Sequence, residues 1–137
     1  ENYRRAFDQF EPEKVARYDE EKVEILLSNT GIVRNKLKIR SAINNAKRML
    51  DLKATGVSLS DFMWEVVDGR PVQNQFETKS EVPASTPVSS LLCKKMKHAG
   101  FTFVGSTICY ALMQATGMVN DHFVRCPRHR ECYELAL

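Results

Sequence analysis

The 137 residues (15.7 kDa) carry 43% hydrophobic and 27% charged side chains with a net charge of +3. These values are ordinary for a globular domain and exclude a disordered acidic tail, a collagen-like repeat and a low-complexity array. No apolar run is long enough to cross a bilayer and no charged-apolar-small leader is visible, so a cytoplasmic protein without membrane contact is expected.

Tyr3, Ala6, Phe7 and Phe10 recur at helical spacing. Because the chain opens on Glu1 without a Met, they are expected to be the last turns of a helix that begins upstream. Pro12 suits the first turn of a short helix with Val15 facing inward. Asp19 caps the next helix, in which Val23, Leu26 and Leu27 form the apolar stripe and which ends at Gly31. Leu37, Ile39, Ile43, Ala46, Met49 and Leu50 mark a long amphipathic helix running to about Lys53 and closing at Gly56. Ser60 caps a short helix that stops near Gly69 and is expected to place Phe62 and Trp64 in the core. The stretch from Arg70 to Pro83 lacks periodicity and is expected to be a loop. Thr86-Pro87 starts a helix running through Leu91, Leu92 and Met96 to Gly100, and Ser106 or Thr107 starts another that ends at Gly117. Every periodic element is helical and no alternating pattern extends beyond a few residues. The expected class is therefore all-α, an orthogonal bundle in a single domain.

Four cysteines, Cys93, Cys109, Cys126 and Cys132, lack the density of a secreted disulfide framework and point to thiols or metal ligands in a reducing compartment. Charge is unevenly spread: Arg34, Lys36, Lys38, Arg40, Lys47 and Arg48 fall in one acid-free stretch, whereas Glu1 to Glu24 is acidic. Such a basic segment suits a phosphate backbone, whose neutralisation releases counterions, although a solvated helix face has the same composition.

The run from Leu91 to Thr107 reads as helix, glycine-bounded hairpin, helix. Gly100 and Gly105 allow close backbone approach, and the N–H groups of Ser106 and Thr107 at the start of the second helix favour an anion. Lys94, Lys95 and Lys97 lie on the entering helix. Such a unit grips DNA sugar-phosphate without reading sequence, and the same pattern also serves as an ordinary αα-hairpin. Beyond it, His122 and Cys126 stand four residues apart, a spacing that would let two zinc ligands share one helical turn. A closed site needs two more ligands, and His129 and Cys132 are near in sequence. A surface histidine and an ordinary thiol fit the pattern too.

Several separated blocks resemble the bacterial 3-methyladenine DNA glycosylase I family. They are Asn2-Tyr3-Arg4, Gly31-Ile32-Val33-Arg34-Asn35 with Lys38-Ile39, Ala42-Ile43 and Asn45-Ala46, Phe62-Met63-Trp64, Phe103 to Tyr110, Met113-Gln114-Ala115, and Val119-Asn120-Asp121-His122. The resemblance covers the whole chain in family order. It implies a helix-hairpin-helix DNA glycosylase fold, with the hairpin unit at about 87–117 and a zinc-binding tail at about 120–132. Residues 1–137 would form the C-terminal major part of one glycosylase domain. The implied reaction is hydrolysis of the N-glycosidic bond of 3-methyladenine in alkylated double-stranded DNA, by a monomer in the bacterial cytoplasm. Gly100, Gly105, Ser106, Thr107, Lys97, Arg34 and Lys38 would face DNA.

His122 and Cys126 match two ligands of the family's structural zinc. The family's other two, a Cys near the N-terminus and the His of a Tyr-His-Asp-x-Glu-Trp-Gly motif, are not in these 137 residues, nor is the segment with the Glu and aromatic residues that surround the extruded base. Residues 1–137 alone are accordingly expected to show little or no turnover. His129 and Cys132 are not family ligands. Asn120 stands where the superfamily generally has an Asp and cannot act as a base; Asp121 is expected to be structural. A cationic 3-methyladenine needs no protonation to leave, so positioning can supply the catalysis. The alternative is a non-catalytic helix-hairpin-helix DNA-binding module.

Overall fold

The computed structural model describes residues 1–136. Among them the chain is all-α apart from two strands of two residues each. It divides into two compact units, Glu1–Leu59 with Met96–Phe103, and Ser60–Lys95 with Val104–Leu137.

The first unit opens with α1 (Asn2–Ala6), α2 (Pro12–Val15), α3 (Glu20–Ser28) and α4 (Lys36–Ala54). Side-chain caps start the two longer helices: Asp19 accepts from the Lys22 N–H at 2.9 Å and Asn35 from the Lys38 N–H at 3.0 Å. Gly56, at φ +84°, ends α4 with Val57 N–H returning to the Leu52 carbonyl, a left-handed closure that suits glycine. Phe7, Val15, Val23, Leu26, Ile32, Ile39 and Ile43 form one buried cluster, with α2 and α3 packed on α4.

The helical spacing of Phe7 and Phe10 is not continued as α-helix. Asp8, Gln9 and Phe10 take left-handed φ values of 48°, 60° and 59° in a 3₁₀ turn. Two contacts hold this uncommon backbone: the Phe7 and Phe10 rings stack at 5.4 Å, and Asp8 accepts a 2.5 Å hydrogen bond from the Tyr18 hydroxyl.

The chain continues through α5 (Leu59–Trp64), which begins one residue ahead of Ser60. In the second unit Phe62 and Trp64 are half-buried, not core as expected; Lys95 covers the Phe62 ring with its ammonium 4.3 Å from the centroid, and Val67 takes the buried place. The expected loop after Arg70 contains β1 (Val72–Gln73), which pairs in parallel with β2 (Val119–Asn120), Val72 opposite Val119 and Gln73 opposite Asn120. Two residues leave no alternation to read in sequence, and the partner strand is remote. A Thr78–Glu81 capping box then organises a 3₁₀ turn at Lys79–Glu81.

Helix α6 (Pro87–His98) starts as anticipated: Thr86 Oγ1 accepts from the Ser89 N–H at 3.1 Å while Ser89 Oγ accepts from the Thr86 N–H at 2.9 Å. Helices α7 (Ser106–Ala115) and α8 (Pro127–Glu134) follow. Leu92, Cys93, Cys109, Tyr110, Met113, Met118 and Val119 are buried hydrophobic residues of this unit's later half.

Candidate nucleic-acid interface and metal-ligand tail

The first half of the hairpin belongs to the first unit. At the end of α6 the Gly100 N–H returns to the Lys97 carbonyl and the Phe101 N–H to the Met96 carbonyl, each at 3.0 Å, and Phe101 is buried. Gly100 has φ +85°, and a Cβ there would lie 2.8 Å from Arg48 Cδ. The fold therefore favours glycine at this position. Thr102 and Phe103 are exposed, and Phe103 is itself left-handed at φ +59°.

Gly105, in the second unit, is different in kind. Its φ of −137° is open to any residue, and a Cβ there would meet nothing within 4 Å. Packing does not explain this glycine. Gly105 also caps α7 without a side-chain acceptor, and the first helical bond is Cys109 N–H to the Gly105 carbonyl at 2.9 Å. The N–H groups of half-buried Ser106 and exposed Thr107 precede that bond, so they are available to an anion.

The structure sorts the basic candidates. Arg40 is paired with Glu20 at 2.9 Å, Arg48 with Asp51 at 3.1 Å and Lys36 more loosely with Glu24 at 3.9 Å. Arg34, Lys38 and Lys47 are exposed and make no ion pair among the described residues. Lys38 lies beside the hairpin, its ammonium 5.7 Å from the Phe103 ring centroid. On α6, Lys94 and Lys97 are exposed, but Lys95 is committed to Glu65 and to the Phe62 carbonyl and does not join a phosphate-facing set.

Two residues absent from the sequence candidates engage the hairpin. Asn45 Nδ2 donates to the Thr102 carbonyl at 3.0 Å and its Oδ1 accepts from the Thr102 N–H at 2.8 Å. Asn44 Nδ2 donates to the Gly100 carbonyl at 2.9 Å and to Thr102 Oγ1 at 3.2 Å. Their signal in the sequence was two adjacent asparagines inside a long helix, where asparagine is a poor helix former and needs an external partner.

After α7, Asp121 is an acceptor for three side chains: the Tyr110 hydroxyl at 2.6 Å, Gln114 Nε2 at 2.8 Å and Asn74 Nδ2 at 2.7 Å. It ties α7 to the segment after β1, a structural role. Burial, and secondarily the Asp121 hydrogen bond, push the Tyr110 phenol well above its usual range. Asn120 is 4% exposed and donates to Gln73 Oε1 at 2.8 Å and to the His129 carbonyl at 2.9 Å.

His122 and Cys126 do not share a helical turn. His122 lies exposed in the segment after β2, and Cys126 is the half-buried N-cap of α8. His129 is engaged through Nε2 with the Asn74 carbonyl at 2.8 Å, and no group of three His, Cys, Asp or Glu among the described residues converges as a metal site. The compact run of four ligands is thus not assembled. Imidazole and thiolate remain chemically suited to zinc as two of its four ligands.

A family model described as methyladenine glycosylase matches residues 1–129. The chain belongs to the methyladenine glycosylase family. Within that family, DNA-3-methyladenine glycosylase 1 of Escherichia coli (strain K12) is 48% identical over 126 residues, covering 92% of this chain and 67% of that protein. DNA-3-methyladenine glycosylase of Haemophilus influenzae is 39% identical over 127 residues, covering 93% and 69%. A crystal structure of 3-methyladenine DNA glycosylase I superposes with a TM-score of 0.90 at 48% identity, covering 92% of this chain and 69% of that one. A variant of 3-methyladenine DNA glycosylase I in complex with 3-methyladenine superposes at 0.86 with 32% identity, covering 91% and 67%. No described helix of this methyladenine glycosylase family member is long and apolar enough to cross a membrane.

Proposed function

We propose that the protein is a DNA repair glycosylase that hydrolyses the N-glycosidic bond of 3-methyladenine in alkylated double-stranded DNA. The observation that carries this reading is the family match over residues 1–129, which takes in the hairpin and the Val119-Asn120-Asp121-His122 segment. The residues here assign a division of labour. A glycosylase must extrude its nucleotide, so it first holds the backbone. Gly105 leaves room for the sugar-phosphate, the N–H groups at the start of α7 donate to a phosphate oxygen, and Lys97, Arg34 and Lys38 supply positive charge without reading sequence.

The bond to C1′ of a cationic base breaks with its electron pair passing to the leaving purine, which departs neutral. Water adds to C1′ and releases its proton. No carboxylate at position 120 is needed for this step, and Asn120 is spent on Gln73 and His129. Asp121 likewise is committed to three donors. Rate enhancement then comes from holding the extruded nucleotide and favouring a positively charged base. His122 and Cys126 would supply two of the ligands of a structural zinc, whose chemistry would be to tie the tail in place and not to act on the bond that breaks. The protein acts as a monomer in the bacterial cytoplasm.

The test is release of free 3-methyladenine from methylated duplex DNA by the intact protein purified from its host. Release is expected. Retained DNA binding with no release would overturn the enzyme assignment in favour of a binding module.

A further inference from the structure

The hairpin loop is exposed, yet its backbone is not left to solvent. Asn45 takes both main-chain hydrogen-bonding groups of Thr102, donating to the carbonyl at 3.0 Å and accepting from the N–H at 2.8 Å. Water would otherwise serve these groups at no cost to the fold. A single carboxamide that engages both holds the peptide planes on either side of Thr102 at once. Asn44, one residue earlier on α4, reaches the Gly100 carbonyl and the Thr102 hydroxyl and braces the same loop from the same helix.

The next residue records the consequence. Phe103 is 44% exposed and left-handed at φ +59°, a conformation that a bulky residue keeps only where its surroundings over-determine it. Lys38, also on α4, completes the enclosure beside the Phe103 ring. One helix therefore braces the turn at Gly100, Thr102 and Phe103. A loop ordered before DNA arrives does not lose conformational freedom on binding, which is the advantage of preorganisation.

We propose that Asn45, braced by Asn44, is a positioning residue for DNA binding: by locking Thr102 it presets the hairpin backbone that grips the sugar-phosphate. This rests on the reading of the hairpin as the DNA grip. In this role Asn45 acts through Thr102, so its loss should act on affinity and not on the chemical step.

The experiment compares Asn45→Ala, Gly105→Thr and the double variant in the intact protein, with Kd for unmodified duplexes of several sequences measured well below the melting temperature. Asn45→Ala is expected to weaken binding to every sequence about tenfold, the loss of two hydrogen bonds. It should raise KM for 3-methyladenine release with kcat little changed. Because both substitutions act on one hairpin, the double variant should bind more tightly than the two separate losses multiplied together. Unchanged Kd in Asn45→Ala, with weakened binding in Gly105→Thr, would overturn the positioning role alone. Unchanged Kd in Gly105→Thr would overturn the hairpin reading and this proposal with it. Full additivity would also overturn the proposal. Should Asn45→Ala not fold, amide exchange at Thr102 in the unsubstituted protein decides: slow exchange is expected, and exchange at the free-peptide rate overturns the lock.

Discussion

Asn120 and His129 are joined by a hydrogen bond from the Asn120 carboxamide nitrogen to the His129 carbonyl at 2.9 Å, inside a site where Asn120 is 4% exposed. The same nitrogen reaches Gln73 Oε1 at 2.8 Å. The His129 carbonyl can only accept, so the position demands a donor toward it. Asparagine supplies it and an ionised aspartate cannot.

Asn120→Asp should therefore destabilise the protein by about 1–3 kcal/mol, because a buried carboxylate would face the His129 carbonyl with no proton to share. Urea unfolding at neutral pH measures the loss. No gain in 3-methyladenine release should accompany it; a stable, faster Asn120→Asp variant would contradict the structural assignment of this residue.

Tyr110 gives an alkaline limit. Burial and the Asp121 hydrogen bond raise its pKa above 10.0, so the folded state keeps a proton that the unfolded chain loses as pH rises past that value. The unfolded state then binds fewer protons and stability falls. Tyr18, raised by burial and by Asp8, contributes in the same direction. Unfolding free energy should be level up to about pH 9 and decline by about pH 11. Tyr110→Phe should cost about 1 kcal/mol at neutral pH for its hydrogen bond and show a shallower alkaline decline.

The two hairpin glycines should separate fold from function. Gly100→Ala meets both a positive φ and Arg48 Cδ at 2.8 Å, so it should lower stability by about 1 kcal/mol or more. Gly105→Thr meets open space, and threonine is about as good an N-cap as glycine, so thermal stability should hold within about 0.5 kcal/mol. Only the second should weaken DNA binding without loss of fold, as read by thermal melting and fluorescence anisotropy side by side.

Ion pairing within the fold ranks the basic residues. Lys38→Gln or Arg34→Gln should each reduce the slope of log affinity against log salt by about 1. Arg40→Gln removes a charge already met by Glu20 at 2.9 Å and should change the slope less. Titrations of one duplex at several salt concentrations check the order; an Arg40 effect equal to that of Lys38 would show that pairing does not govern access.

For the tail, the intact protein should bind about one zinc, the stoichiometry of a single closed four-ligand site. His122→Ala with Cys126→Ala should abolish it, whereas His129→Ala should leave metal content unchanged, since His129 is bound to the Asn74 carbonyl. Elemental analysis of the purified variants gives the answer; zinc retained by the double variant would remove both residues from the site.

The amino-acid sequence by itself determined the long helices and the family. Period and caps act locally: Asp19, Asn35 and Thr86 satisfy N–H groups within three residues of themselves, so α3, α4 and α6 were legible without a fold. Contacts between distant segments were decided by tertiary structure. The Val72–Val119 pairing needs a partner remote in the chain, and the stacked Phe7 and Phe10 rings accompany a left-handed turn that helical spacing conceals. The site divides in the same way. Gly105, Lys38 and His122 could be named from motif and resemblance. That Arg40 is spent on Glu20, that Lys95 is spent on Glu65, and that Asn45 holds Thr102 depend on which groups folding brings within hydrogen-bonding reach. A side chain's chemistry is written in its identity, but its availability is set by its neighbours in space.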